Sequence, residues 1–155
     1  MPEIILIAGP SASGKTTLAK QVASSLGSDY LSLDNYYLPE ETALVDTEKG
    51  RIRSFEQPHL YDGAHLAKHI EKHVNTGRGV VAEGFVLLAY PEIMALPAIR
   101  FYLEVSFATC RERRLKRFPR RRSDEAFKMI GESENARFVL PQRALPGVHS
   151  LDGTF

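Results

Sequence analysis

The chain has 155 residues, 43% of them hydrophobic and 25% charged, with a formal net charge of +1. This describes one ordinary globular domain able to bury its own core, and the charge gives no global reason to expect a nucleic-acid or membrane partner. The lone cysteine, Cys110, excludes an internal disulfide and suits a reducing cytoplasm. No apolar run approaches the roughly 18 residues of a membrane span, and no signal peptide is expected ahead of the first strand.

In chain order, Pro2 to Ala8 reads as a strand whose run Ile4-Ile5-Leu6-Ile7-Ala8 suits a buried parallel sheet. Gly9 to Thr16, GPSASGKT, fits G-x-x-x-x-G-K-[ST], the Walker A phosphate loop. Gly14 to Leu26 follows as a helix, with Gly27 as its stop. Strand, glycine loop and helix in that order predict a nucleoside-triphosphate site. The glycines let several backbone N–H groups turn toward one phosphate, and the helix N-terminus adds its positive end. Lys15 brings a cation to the outer phosphates and Thr16 a hydroxyl to Mg²⁺. The expected nucleotide-binding residues are Gly9, Ser11, Ala12, Ser13, Gly14, Lys15, Thr16 and Thr17. The loop alone does not separate a kinase from a GTPase or an ATPase.

Tyr30 to Leu33 reads as a short second strand with Asp34 at its C-terminal end. From Asn35 to Gly63 the pattern loses its period, and an irregular stretch of that length inside a compact domain is usually functional. Ala64 to Val74 is a helix with Leu66, Ala67, Ile70 and Val74 inward, and Asn75 to Gly79 a turn. Val80 to Ala82 is a third strand closed by Glu83-Gly84, Tyr90 to Leu96 a short helix and Ile99 to Val105 a fourth strand. Thr109 to Arg117 is a basic helix, broken at Pro119. Asp124 to Leu140 is one further helix, and Gly147 to Leu151 a last strand. Alternating strands and helices imply a parallel sheet covered on both faces, with ligands at the C-terminal strand ends. Gly9, Asp34 and Glu83 fall there. One carboxylate can take the proton of an attacking hydroxyl and another can hold Mg²⁺, so Thr16, Asp34 and Glu83 are the expected metal-side residues.

Eight of the twelve residues from 111 to 122 are basic. They can be a nucleic-acid patch, a solvated helix face, or a lid over the transferring phosphoryl group. The break at Pro119 favours a lid at about 117–125, with Arg117 and Arg121 as its catalytic arginines. His65, His69 and His73 share one helix face, read as a polar surface, and Cys110 reads as a packed residue.

Across nearly its whole length the chain resembles the uridine kinase family of small P-loop kinases and the related nicotinamide riboside kinases. The resemblance rests on GPSASGKTT, on LSLDNYY at 31–37, on FEQPHLYD at 55–62, on VVAEGFVLL at 80–88 and on FYLEVSFATCRERRLKR at 101–117. It implies a single P-loop kinase domain over 1–155, an α/β fold of about five parallel strands flanked by helices, with a lid. It implies ATP and Mg²⁺, Asp34 as general base, Glu83 near Mg²⁺, and Asp62 with Tyr61 around the two hydroxyls of a ribose. The acceptor would be the 5′-hydroxyl of a ribonucleoside. EGFVLLAY and VHSLDGTF look more like the nicotinamide riboside branch. The chain departs from uridine kinases in having Gln57 where they have a His, a five-residue turn where they have a hairpin arm, and no terminal helix after its last strand. A kinase of another small metabolite is the nearest rival, and a nucleic-acid-binding ATPase a distant one. A guanine-reading N-K-x-D stretch is absent. Oligomeric state is not legible.

Overall fold

The computed structural model describes residues 2–117 and 122–153. Five parallel strands form the central sheet. β1 (Ile4–Ala8) lies in the middle, with β2 (Asp29–Ser32), β5 (Val80–Glu83), β6 (Ile99–Glu104) and β7 (Val148–Asp152) arranged in the order β2-β5-β1-β6-β7. All five residues of β1 are buried, as its unbroken apolar run requires of a central strand covered on both faces.

Alternation along the strands sorts the core into two layers. Ile5, Ile7 and Val81 face α1 (Lys15–Leu26) through Ala19 and Ala23. Leu6, Val80, Ala82 and Tyr102 face α2 (Gly63–Asn75) and the short α3 (Pro91–Met94), through Leu66, Ile70 and Ile93. Fully burying a Leu or Ile of this kind contributes about 1.5–3 kcal/mol. The third cluster, Leu103, Val105 and Cys110, seats α4 (Phe107–Arg117) on the α1 side. Cys110 is buried there and burial pushes its thiol up, as suits a packed residue. Among the described residues no helix is long and apolar enough to cross a membrane.

The aperiodic stretch from Asn35 to Gly63 contains structure the sequence did not announce. β3 (Leu44–Thr47) and β4 (Gly50–Arg53) pair antiparallel as a separate two-stranded arm, with Val45 opposite Ile52. Only that apolar pair faces inward, and Leu44 is exposed, so the alternation was too short to register.

The single helix expected over Asp124 to Leu140 is also different. α5 (Arg122–Glu134) gives way to a wider π-turn at Asn135–Val139 and a 3₁₀ stretch at Leu140–Ala144. Pro141 has no N–H to offer and its ring crowds the preceding turn, so the α-helical ladder cannot run through it. The next residue then locks the segment. Buried Gln142 donates to the Phe85 and Val139 carbonyls at 2.6 and 2.9 Å and accepts from Leu88 N at 2.8 Å.

At the edge of the sheet, Asp29 receives Arg78 at 2.8 Å and His73 at 2.6 Å. This pins the turn after α2 to β2 and holds the Asp29 carboxyl at about 2, through the Arg78 hydrogen bond first and the His73 bond second.

Glu134, at the end of α5, is a buried carboxyl that receives the Ser54 hydroxyl at 2.6 and 2.8 Å. Burial pushes it above the ordinary glutamate range. A carboxyl raised by folding favours the folded state most when protonated. Its contribution is therefore greatest below the unfolded-chain value and declines as pH rises toward the raised one. Glu134→Gln keeps an oxygen for Ser54 and removes that decline. Urea unfolding at acid and at neutral pH should show the variant gaining on the parent protein as pH rises; parallel pH curves would contradict this.

Candidate functional site

The site assembles at the C-terminal ends of β2, β5 and β1. The phosphate loop leaves β1 and enters α1 at Gly14, whose φ of 94° lies in the left-handed region. Ala12 also sits at positive φ, 64°, a conformation that costs a non-glycine residue about 1–3 kcal/mol and that functional loops retain. Among the described residues no side chain caps the N-terminus of α1, so its first N–H groups remain directed into the loop. Within the loop, Ser13 is buried and its Oγ has no hydrogen-bond partner among the described residues. An orphaned hydroxyl and an uncapped helix end in one cradle fit an anion. Lys15 Nζ, itself largely buried, donates to Pro10 O at 3.1 Å and so lies folded over the loop. Thr16 and Thr17 are exposed on the first turn of the helix.

Glu83 ends β5, paired in register with Ile7 of β1 and Ser32 of β2. It is 2% exposed and accepts the Tyr30 hydroxyl at 2.8 Å. Ser32 and Thr16 lie near enough to the same hydroxyl to favour its ionised form. Burial, then the Glu83 carboxylate, push it up to about 12. Tyr30 thus holds the Glu83 carboxylate beside Thr16, a contact that the sequence does not signal because Tyr30 reads as part of a short strand.

Asp34 follows β2 on a 3₁₀ turn, Leu33–Tyr36, in which Ser32 Oγ accepts from Asp34 N at 3.3 Å. The side chain opens toward solvent on one side. Protein on its other sides removes enough water to push the carboxyl above the usual aspartate range; Lys15 and Arg114 oppose the shift, while Glu83 and Glu56 add to it. Asp34 therefore stands in the field of the loop lysine, the second carboxylate and an arginine.

Gly84 makes this approach possible. A Cβ there would lie 2.5 Å from Leu33 Cβ. Gly84→Ala should displace Leu33, and Asp34 with it, lowering turnover by about 10²-fold for a misplacement on the order of 1 Å. The measurement is steady-state turnover beside thermal unfolding; a variant that loses only stability would contradict the positioning role.

Of the residues tied to the acceptor by resemblance, Tyr61 packs edge-on to Phe85 and tilted against Tyr37, and its hydroxyl donates to Phe55 O at 2.9 Å. It lies close enough to Asp34 and Glu56 for their charges to reinforce the upward shift that burial imposes on its phenol. Asp62 caps α2, its Oδ1 accepting from His65 N at 3.0 Å. It lines an open hollow with Asn35, Tyr36, Tyr37, His65 and His69. The imidazoles of His65 and His69 lie 4.3 Å apart, and Tyr36 OH meets His69 Nδ1 at 2.5 Å. His73 is engaged with Asp29. Among the described residues no cluster of three or more potential ligands could hold a metal by protein groups alone.

The basic run has a more specific placement than the sequence allowed. Arg113 donates to Ser13 O at 3.3 Å and Arg114 to Ser11 Oγ at 3.1 Å, both on the phosphate loop. Arg114 also donates to Glu56 at 2.6 Å and stacks on Phe127 with its guanidinium 4.3 Å from the ring centroid. Arg111 and Lys116 are exposed. Arg121 lies outside the described residues, as do the other residues at 118–120 of the lid expected at 117–125, and Arg117 is described only as the last residue of α4. The i, i+3 position of Arg114 relative to Arg111 gave no hint of which basic residues turn inward.

Residues 5–136, which include this loop, its helix and its two carboxylates, match the family model for an AAA domain. The chain belongs to the AAA domain family. Its P-loop fold recurs among solved structures. A gluconokinase from Sinorhizobium meliloti 1021 aligns with a TM-score of 0.59 at 16% identity, covering 99% of this chain and 84% of its own. A sugar kinase from Janibacter sp. HTCC2649 aligns at 0.67 and 20%, covering 100% and 87%. A fructose transport system kinase, so named provisionally, from Silicibacter sp. TM1040 aligns at 0.63 and 15%, covering 97% and 89%. At these identities the likeness is one of fold. No curated protein matches the chain.

Proposed function

We propose that this AAA-family protein is an ATP-dependent phosphotransferase that moves the γ-phosphoryl group onto a hydroxyl of a small polyhydroxylated metabolite. The reading is carried by the convergence of an uncapped helix N-terminus, Lys15, Asp34 and buried Glu83 at one end of the sheet. Asp34 accepts the proton of the acceptor hydroxyl as its oxygen bonds to the γ-phosphorus. The bond from that phosphorus to the bridging oxygen breaks, and ADP leaves with the electron pair. The raised Asp34 carboxyl makes a better proton acceptor than an ordinary aspartate. Lys15 and Arg114 offset the charge of the transferring group. Thr16, Glu83 and Asp34 are the oxygen donors suited to Mg²⁺, held in part through its waters. When bound, the ion offsets charge on the β and γ phosphates.

The sequence resemblance favours a ribonucleoside as acceptor, uridine-like or nicotinamide riboside, with Asp62 taking two neighbouring hydroxyls and Tyr61 beside the sugar. The structural neighbours named as a sugar kinase and a gluconokinase favour a second reading, a sugar or sugar acid. Thermal unfolding with Mg²⁺ and a non-hydrolysable ATP analogue separates them. Ligand at a hundredfold its Kd adds about 2.7 kcal/mol, and a panel of ribosides, sugars and sugar acids should show one class doing so. Phosphorylation of none of them under Mg–ATP would contradict the assignment.

A further inference from the structure

The strap from Ser54 to Gln57, between the β3–β4 arm and the 3₁₀ turn Pro58–Leu60, touches both helices that flank residues 118–121. Buried Ser54 is bonded to Glu134 of α5, and Glu56 is bonded to Arg114 of α4. The Glu56 and Arg114 side chains are only 14% and 12% exposed. A pair so removed from water pays desolvation, and an ion pair placed for stability alone is often matched by apolar packing. Here the same Arg114 Nη1 also reaches Ser11 Oγ of the phosphate loop, and both charges are felt at Asp34. The pair therefore lies between the loop and the carboxylate that faces the transferring group.

We infer that Glu56 is a positioning residue. It holds the Arg114 guanidinium against the phosphate loop, oriented in advance for the terminal phosphate, and through Ser54 and Glu134 it ties that orientation to the β3–β4 arm. An arginine carries several freely turning bonds, and a bidentate-capable guanidinium is most effective where those bonds are fixed before the ligand arrives. The strap supplies the fixation: Ser54 anchors it on α5, and Glu56 N donates back to Ser54 Oγ at 3.2 Å, which sets the carboxylate two residues on. The inference rests on the phosphotransferase reading for its purpose, but its test needs no acceptor and no turnover.

The test is calorimetric titration of the full chain with Mg²⁺ plus ADP and with Mg²⁺ plus the β,γ-imido analogue of ATP. Glu56→Gln should weaken the analogue about tenfold or more, on the scale of a charge-assisted hydrogen bond, and ADP less than about threefold. Glu56→Asp, which keeps the charge, should recover part of the loss. Arg114→Ala should show the same selective loss, and adding Glu56→Gln to it should cost nothing further. Equal weakening of both ligands, with a matching fall in Tm, would make the pair merely structural. Unchanged affinity for both ligands in Glu56→Gln, or a further loss in the double variant, would equally overturn the inference. If the parent chain binds the analogue selectively yet phosphorylates nothing, the phosphotransferase reading fails while the role of Glu56 stands.

Discussion

Lys15→Ala lowers kcat/KM for nucleotide turnover by a factor on the order of 10³, the upper range for removing one donor from a preorganised anion site. Lys15 is the residue whose ammonium lies folded over the phosphate loop, bonded to Pro10 O inside the cradle that also holds the orphaned Ser13 hydroxyl. Arg113 and Arg114 are engaged with the Ser13 carbonyl and the Ser11 hydroxyl of that loop, so neither already occupies the position of the Lys15 ammonium. The variant should still fold. The apolar faces of α1 rest on Ala19 and Ala23, which the substitution leaves untouched. Turnover and thermal unfolding measured together check this; near-parental kcat/KM would mean the loop does not hold the reacting phosphates.

Asp34→Asn lowers kcat by about 10²- to 10⁴-fold, the usual scale for a positioned general base, with little change in acceptor KM. The amide keeps the shape of the side chain and its place after Ser32 but cannot take a proton. The pH profile adds a sign. Asp34 acts as a base only when ionised, and its carboxyl is raised above the ordinary aspartate range, chiefly by burial. Activity is therefore present above that raised value and is lost as pH falls through it, so the acid limb of kcat/KM lies higher than an unperturbed aspartate would place it. In Asp34→Asn that limb should vanish from the residual activity. A parental kcat, or an unchanged acid limb in the variant, would assign the proton to another group.

Much of this site was legible before any coordinate. The loop Gly9 to Thr16 carries its own spacing, and Asp34 and Glu83 each close an apolar run, so their positions at strand ends followed from the parallel sheet that the alternation of elements required. What stayed hidden depended on distant partners. The Tyr30–Glu83 bond spans 53 residues of sequence, and the Ser54–Glu134 contact spans 80. No local period encodes such pairs. The arm at Leu44–Arg53 is mostly solvated and too short to show alternation. In the basic run, composition located the arginines but could not say that Arg113 and Arg114 turn to the phosphate loop while Arg111 faces solvent. The resemblance gave Asp62 a sugar-binding role, and the fold adds a capping bond to α2 that periodicity alone placed one residue away.

The most direct measurement follows label from the γ-position of ATP, with Mg²⁺ and the acceptor panel, in the parent chain and in Asp34→Asn. The account predicts that label appears as a phosphomonoester of one hydroxyl-bearing small molecule, that its formation requires that molecule, and that Asp34→Asn nearly abolishes it. Label released only as inorganic phosphate, at a rate indifferent to every acceptor and to the state of Asp34, would contradict it.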